Sequence, residues 1–147
     1  SDSEALEEIA HDLDGKPAAA RAANAKGRKP QVIELPSGAR LYVGRSPREN
    51  ADITFTIARP NDLWFHARNT PGAHVVLVQD GRAAPSDDDI AQAAAIAAFN
   101  SRARDSAHVD VDYTRRKYVR KQKNAAPGMV WYTDFKTIRV APRANVR

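Results

Sequence analysis

The sequence predicts an α+β fold: a mixed, mostly antiparallel β-sheet with one long alanine-rich helix packed on it and a short helical N-terminal lead-in. Three observations carry that expectation. Short apolar runs, several with period-two alternation, recur from residue 31 to residue 140 and are separated by Gly, Pro and Asn turns. A single alanine-rich helical stretch falls among them at residues 86–103. Ahead of both, Leu6, Ile9 and Leu13 recur at helical spacing.

In order along the chain, residues 3–13 predict a helix with Ser3 as cap, acids in the first turn and Gly15 at its end. Residues 18–25 predict a second short helix with Pro17 at its first turn, and residues 26–30 a basic connector. Val32, Ile33 and Leu35, then Pro36-Ser37-Gly38, then Leu41 to Val43 predict a hairpin. Residues 44–50 read as a polar loop. Ile53, Phe55 and Ile57 alternate with Thr54 and Thr56, which predicts a half-buried strand stopped by Pro60. Leu63 to Phe65 and Val75 to Val78 predict two buried strands tied by Thr70-Pro71-Gly72. Ser86 caps the long helix, Asp89 can complete a capping box, and alanines on most faces imply close packing. Strands at 109–112, 130–132 and 137–140 follow, with a turn at residues 124–128.

At 147 residues the chain predicts one principal domain, residues 31–142, after a helical lead-in and basic linker at 1–30 and before a tail at 143–147. The opening inside an acidic helix, without Met, points to a segment cut from a longer chain. No cysteine is present, which excludes a disulfide framework, a thiolate zinc site and a cysteine nucleophile, and fits a cytoplasmic setting. No apolar run reaches the ~20 residues of a membrane helix, and no signal peptide is evident.

The net charge of +5 is polarised. Residues 1–14 hold six acids and no Lys or Arg, whereas residues 113–147 carry a net +9. A basic block interleaved with Tyr and Trp is the electrostatic footprint of a polyanion partner. Within it, Arg115, Arg116, Lys117, Arg120, Lys121 and Lys123 are too many cations to bury, so they face solvent or phosphate.

The densest chemistry lies at residues 58–78, where two of the four histidines fall within nine residues beside Trp64. In an extended strand Trp64 and His66 share one face, while Leu63 and Phe65 share the other. Either face can be the buried one; with the first face open, it offers an aromatic–imidazole platform for stacking on bases, with Arg68 donating to phosphate. Alternatively, His66 and His74 hold the Pro-Gly turn. A third reading sets Asp62, His66 and His74 as a small hydrolase or nuclease site or a metal site, although no nucleophile elbow, phosphate-cradling loop or compact ligand motif accompanies them. A fourth makes the basic surface a seat for an acidic protein.

Several pieces in order resemble the NFACT-R domain family. They are Gly44-Arg45 with Asn50; Thr54-Phe55 with Ala58; Asn61 to Arg68; and Pro71-Gly72-Ala73-His74 with Val75 to Leu77. Ala97 to Arg104, Val111 to Thr114, Val119 to Lys121 and Pro127 to Val130 complete the set. The family often has Asn where Ser46 stands here. The resemblance, over residues 31–142, implies a non-enzymatic RNA-binding domain of ribosome-associated quality-control proteins, engaging large-subunit rRNA and tRNA without cofactor or metal. An older family label, fibronectin binding, implies adhesion, which the composition does not support. The expected contact residues are Arg45, Trp64, His66, Arg68 and His74 on one surface, with the six basic-run cations on another.

Overall fold

The computed structural model describes residues 5–7, 30–78 and 84–144. A six-stranded antiparallel sheet runs through the domain in the order β2-β3-β5-β4-β6-β9. Its strands are β2 (Gln31–Glu34), β3 (Arg40–Val43), β4 (Leu63–Ala67), β5 (Val75–Leu77), β6 (Val109–Arg115) and β9 (Lys136–Val140). A second, three-stranded sheet has the order β1-β8-β7, from β1 (Ala5–Glu7), β8 (Val130–Tyr132) and β7 (Val119–Lys121).

The β2–β3 hairpin turns where Pro36-Ser37-Gly38 predicts, with Gly38 at φ 94°, a region that costs glycine nothing. β4 and β5 also form as predicted, in register Leu63 with Leu77 and Phe65 with Val75. In place of the one long helix expected, the described residues hold two short α-helices; the alanine-rich one, α2 (Asp87–Phe99), has 13 residues and stops four short of the expected end. Polar side chains recapture its last carbonyls: Asn100 Nδ2 donates to Ile96 O at 2.8 Å and Ser101 Oγ to Ala98 O at 2.7 Å. At its start Ser86 Oγ accepts from Asp89 N, but the Asp89 carboxylate turns to the hairpin instead and accepts from Ser37 Oγ at 2.9 Å. That bond ties the helix cap to the β2–β3 turn.

Two expectations are corrected. Residues 44–57 are not a loop and a strand. Ser46 caps α1 (Pro47–Asp52), with Pro47 at its first turn, and the chain continues as a π-helical turn, Ile53–Ile57, closed by Ala58 N to Ile53 O at 2.8 Å. The described part of the expected lead-in helix, Ala5–Glu7, is a strand paired antiparallel with β8. The helix expected at 18–25 and most of the basic connector lie outside the described residues.

The large sheet is covered on both faces, which makes β4 buried at all five positions. Leu63, Phe65, Ala67, Val75 and Leu77 pack with Leu41 and Val43 under the alanines of α2. Without longer side chains, that helix face lets the backbone approach the sheet. On the opposite face Trp64 and Val76 pack with Ile53 of the π-turn and Val119, Val130 and Tyr132 of the small sheet. Hydrophobic burial on both sides of β4 therefore fixes the position of every residue in the densest motif.

Candidate nucleic-acid interface

Strand geometry places Trp64 and His66 on one face, as predicted, and the small sheet and π-turn then close over that face. Trp64, His66 and His74 are all 0% exposed. The platform foreseen for base stacking is thus an interior cluster, which corrects the expectation that these three groups present themselves to RNA. The Trp64 and His66 rings stack with centroids 5.9 Å apart, and His74 meets both edge-on, at 5.1 Å and 5.6 Å.

Each imidazole is also held by hydrogen bonds. His66 Nδ1 donates to Ala67 O at 2.6 Å, while His74 Nδ1 shares a 2.7 Å bond with Thr54 Oγ1. The His74 backbone N–H donates to Asn50 Oδ1 at 3.0 Å. Burial first, and the neighbouring His66 second, push the His74 imidazole well below its ordinary 6.5, against opposing backbone hydrogen bonds at Asn50 and Gly128. His74 therefore stays neutral at physiological pH and braces the turn it belongs to.

Asp62 sits in the turn ahead of β4. Its carboxylate accepts from Arg59 N at 2.9 Å. Four residues of extended chain separate it from His66, about 13 Å at the rise of a strand. Among the described residues no group of three or more His, Cys, Asp or Glu could hold a metal ion.

Arg68 leaves β4 toward the far edge of the sheet. It donates to Asp112 Oδ1 at 3.3 Å and Thr137 Oγ1 at 3.1 Å, and its guanidinium lies 5.4 Å from the Phe135 ring centre. Asp112 is fully buried and also accepts from Tyr132 Oη at 2.5 Å and Thr137 Oγ1 at 2.6 Å. The Arg68 charge is therefore spent on an interior carboxylate. Arg45 lies elsewhere, at a cleft beside Gly72 and Ser101 that none of the other expected contact residues lines, and Glu49 binds it through both carboxylate oxygens at 2.9 Å. The first expected surface is split into an interior, an ion-paired edge and a cleft.

The basic run is coherent. It forms neither one strand nor one helix. β6 ends at Arg115, a 3₁₀ turn spans Arg116–Tyr118, and β7 begins at Val119, so the run is the crossover between the two sheets. Arg116 N to Asp62 O at 2.8 Å and Lys117 N to Pro60 O at 3.0 Å pin that turn.

Carbonyls and aromatic rings position Arg115, Arg116, Lys117 and Lys121. Arg115 donates to Asn61 O at 2.6 Å and Arg116 Nε to Thr54 O at 2.7 Å. Phe55 lies under both Arg116, at 5.0 Å, and Lys121, at 5.3 Å, and Lys117 lies 5.4 Å from the Tyr118 ring centre. Lys117, Tyr118, Arg120, Lys121 and Lys123 are exposed. Among the described residues Arg116, Lys117, Lys121 and Lys123 have no carboxylate within ion-pair distance. Contacts of this kind orient a charge without neutralising it, leaving an ordered positive ridge with an exposed tyrosine.

Sequence comparison matches residues 32–134 to the family described as NFACT protein RNA binding domain. Among curated proteins, the Rqc2 homolog RqcH of Bacillus subtilis strain 168 is 38% identical over 115 residues, 78% of this chain and 20% of that protein. The Rqc2 homolog RqcH of Streptococcus pneumoniae serotype 2 strain D39 is 44% identical over 102 residues, 69% of this chain and 18% of that protein. Among solved structures, the C-terminal part of the fibronectin/fibrinogen-binding protein from Streptococcus suis superposes with a TM-score of 0.74 at 38% identity, covering 79% of this chain and 46% of that one.

Proposed function

The chain belongs to the NFACT RNA-binding domain family, and on that premise we propose that it binds structured RNA of the large ribosomal subunit, or tRNA held there, in ribosome-associated quality control. The chain spans about a fifth of the length of the curated relatives it matches. Our reading assigns this segment a grip on RNA and no chemical step.

The observation that supports it best is the ridge of cations between the two sheets, ordered by rings and carbonyls, with Arg116, Lys117, Lys121 and Lys123 forming no ion pair among the described residues. Phosphates meet such a surface by shape and charge, without a base code. Arg115 and Arg120 extend the same run, and Tyr118 supplies a face on which a base or ribose can stack. Trp64, His66 and His74 act from behind, by fixing the π-turn that carries Phe55 and by bracing β4.

The test is the salt dependence of binding to tRNA and to large-subunit rRNA fragments. Each neutralised phosphate contributes a slope of about −0.7 to −0.9 in log K against log salt. Replacing Lys117, Lys121 and Lys123 together by Ala should flatten that slope by roughly 2 to 3 units with the melting temperature unchanged. Binding indifferent to salt, or to the triple variant, would refute the proposal.

A further inference from the structure

We propose that the cleft between the start of α1 and the end of α2 seats one unpaired nucleotide of the bound RNA, its phosphate on Arg102 and Arg104. This deepens the RNA reading and rests on it, but it concerns a surface that none of the ridge residues lines. The cleft is a solvent-open depression of about 610 Å³, lined by three separate segments: residues 44–50, 71–73 and 100–105. That volume lies within the range of pockets that hold small ligands, roughly 300–1,000 Å³. It admits a nucleotide turned out of a helix and not the helix itself.

The walls are laced together by backbone hydrogen bonds. Gly44 N donates to His74 O at 3.0 Å, Ala73 N to Asn100 O at 2.9 Å and Arg102 N to Pro71 O at 2.9 Å, and Gly72 forms a bridge with Ser101. Two glycines permit this approach. A Cβ on Gly44 would fall 1.9 Å from Asn50 Oδ1, and one on Gly72 would fall 2.8 Å from Ser101 Cβ. The site is therefore preorganised, so little ordering cost is left for the moment of binding.

Its charge is likewise in excess of any structural need. Arg45 at the rim is engaged by Glu49. Arg102 and Arg104 are exposed and, among the described residues, form no ion pair. Arg104 is held by the Phe99 ring, 4.2 Å from its guanidinium. A helix C-terminus carries about half a negative charge, so neutralising the end of α2 would need one cation at most, not two. Asp105 is the one acid on the lining and leaves it net positive. The apolar faces of Pro47 and Pro71 offer a base its flat contact. Ser46 Oγ accepts from Glu49 N at 3.1 Å, and its hydroxyl proton remains available to a base edge. Guanidinium groups, prolyl faces and a hydroxyl donor in one cleft fit a nucleotide better than a bare anion.

The experiment is amide-resolved NMR titration with the single-stranded hexanucleotides rA6 and rU6, a blunt RNA duplex, and inorganic phosphate at matched concentration. The hexanucleotides should shift the amides of Gly72, Ala73 and residues 100–105, and the duplex should shift residues 115–123 alone. Arg102→Ala with Arg104→Ala, both solvent-facing, should weaken hexanucleotide affinity at least tenfold while duplex affinity changes less than twofold. Hexanucleotide shifts confined to the ridge would overturn the cleft assignment and leave the RNA reading intact. Equal cleft shifts with phosphate alone would overturn the nucleotide assignment. Loss of all RNA binding in the wild-type chain would overturn both. A peptide displacing the hexanucleotides from the cleft with higher affinity would assign it to a protein instead.

Discussion

Acidification should destabilise the domain through His74 in a window that its burial defines. In the unfolded chain the imidazole titrates near its ordinary 6.5, whereas burial and His66 keep the folded group neutral well below that value. The unfolded state therefore binds the proton that the folded state refuses, and stability rises with pH across the interval. Falling from about pH 7.5 to pH 5.5, a single imidazole of this kind removes about 1.4 kcal/mol. The loss begins near 6.5 and ends only where the folded group itself becomes protonated. Urea unfolding followed by tryptophan fluorescence at half-unit pH steps reads this directly, and the denaturant slope should stay constant. His74→Asn should lose stability at neutral pH, with its hydrogen bond to Thr54 disturbed, and should also lose most of the slope. A flat stability profile between these limits, or a folded-state His74 resonance titrating at 6.5, would refute the assignment of a neutral, solvent-excluded imidazole.

Substitutions at three positions probe the scaffold. Gly44→Ala sets a methyl 1.9 Å from Asn50 Oδ1 and must break its bond to His74 N, costing about 2–3 kcal/mol in urea unfolding. Tyr132→Phe takes the hydroxyl from buried Asp112 and should lower stability by about 1.5–3 kcal/mol, visible as a drop in melting temperature. Ser46→Ala should cost about 1 kcal/mol through the lost cap, while Ser46→Asn, an equally good cap, should be neutral within a few tenths; differential scanning calorimetry separates the two.

What the sequence made legible follows the range of the interaction involved. The β2–β3 hairpin was readable because its turn chemistry is local, and β4, β5 and α2 because their apolar or alanine content has few other uses. Residues 53–57 misled because Ile, Thr, Phe, Thr and Ile alternate like a strand. The competing signal, Ser46-Pro47 followed by Glu49, is a helix start that a π-turn then extends. Ala5–Glu7 carries a helical pattern, yet the open edge of β8 takes it as a strand, a tertiary contact that outweighs propensity. For the site, charge was legible and depth was not. Alternation assigns Trp64 and His66 to one face but says nothing of a second sheet above it. The position of Arg102 and Arg104 beside Arg45 and Gly72 has no local signal, because the fold, not the sequence, brings them there.

The Asp112 carboxylate joins segments that lie far apart along the chain. It lies in β6, and its donors come from Arg68, 44 residues earlier, and from Tyr132 and Thr137, 20 and 25 residues later. Loss of any one of these contacts in the folded domain leaves the buried carboxylate short of donors, at a cost of several kcal/mol per ion. The group thereby ties β8 of the small sheet to β6 and β9 of the large one, and the two sheets should unfold together rather than one after the other.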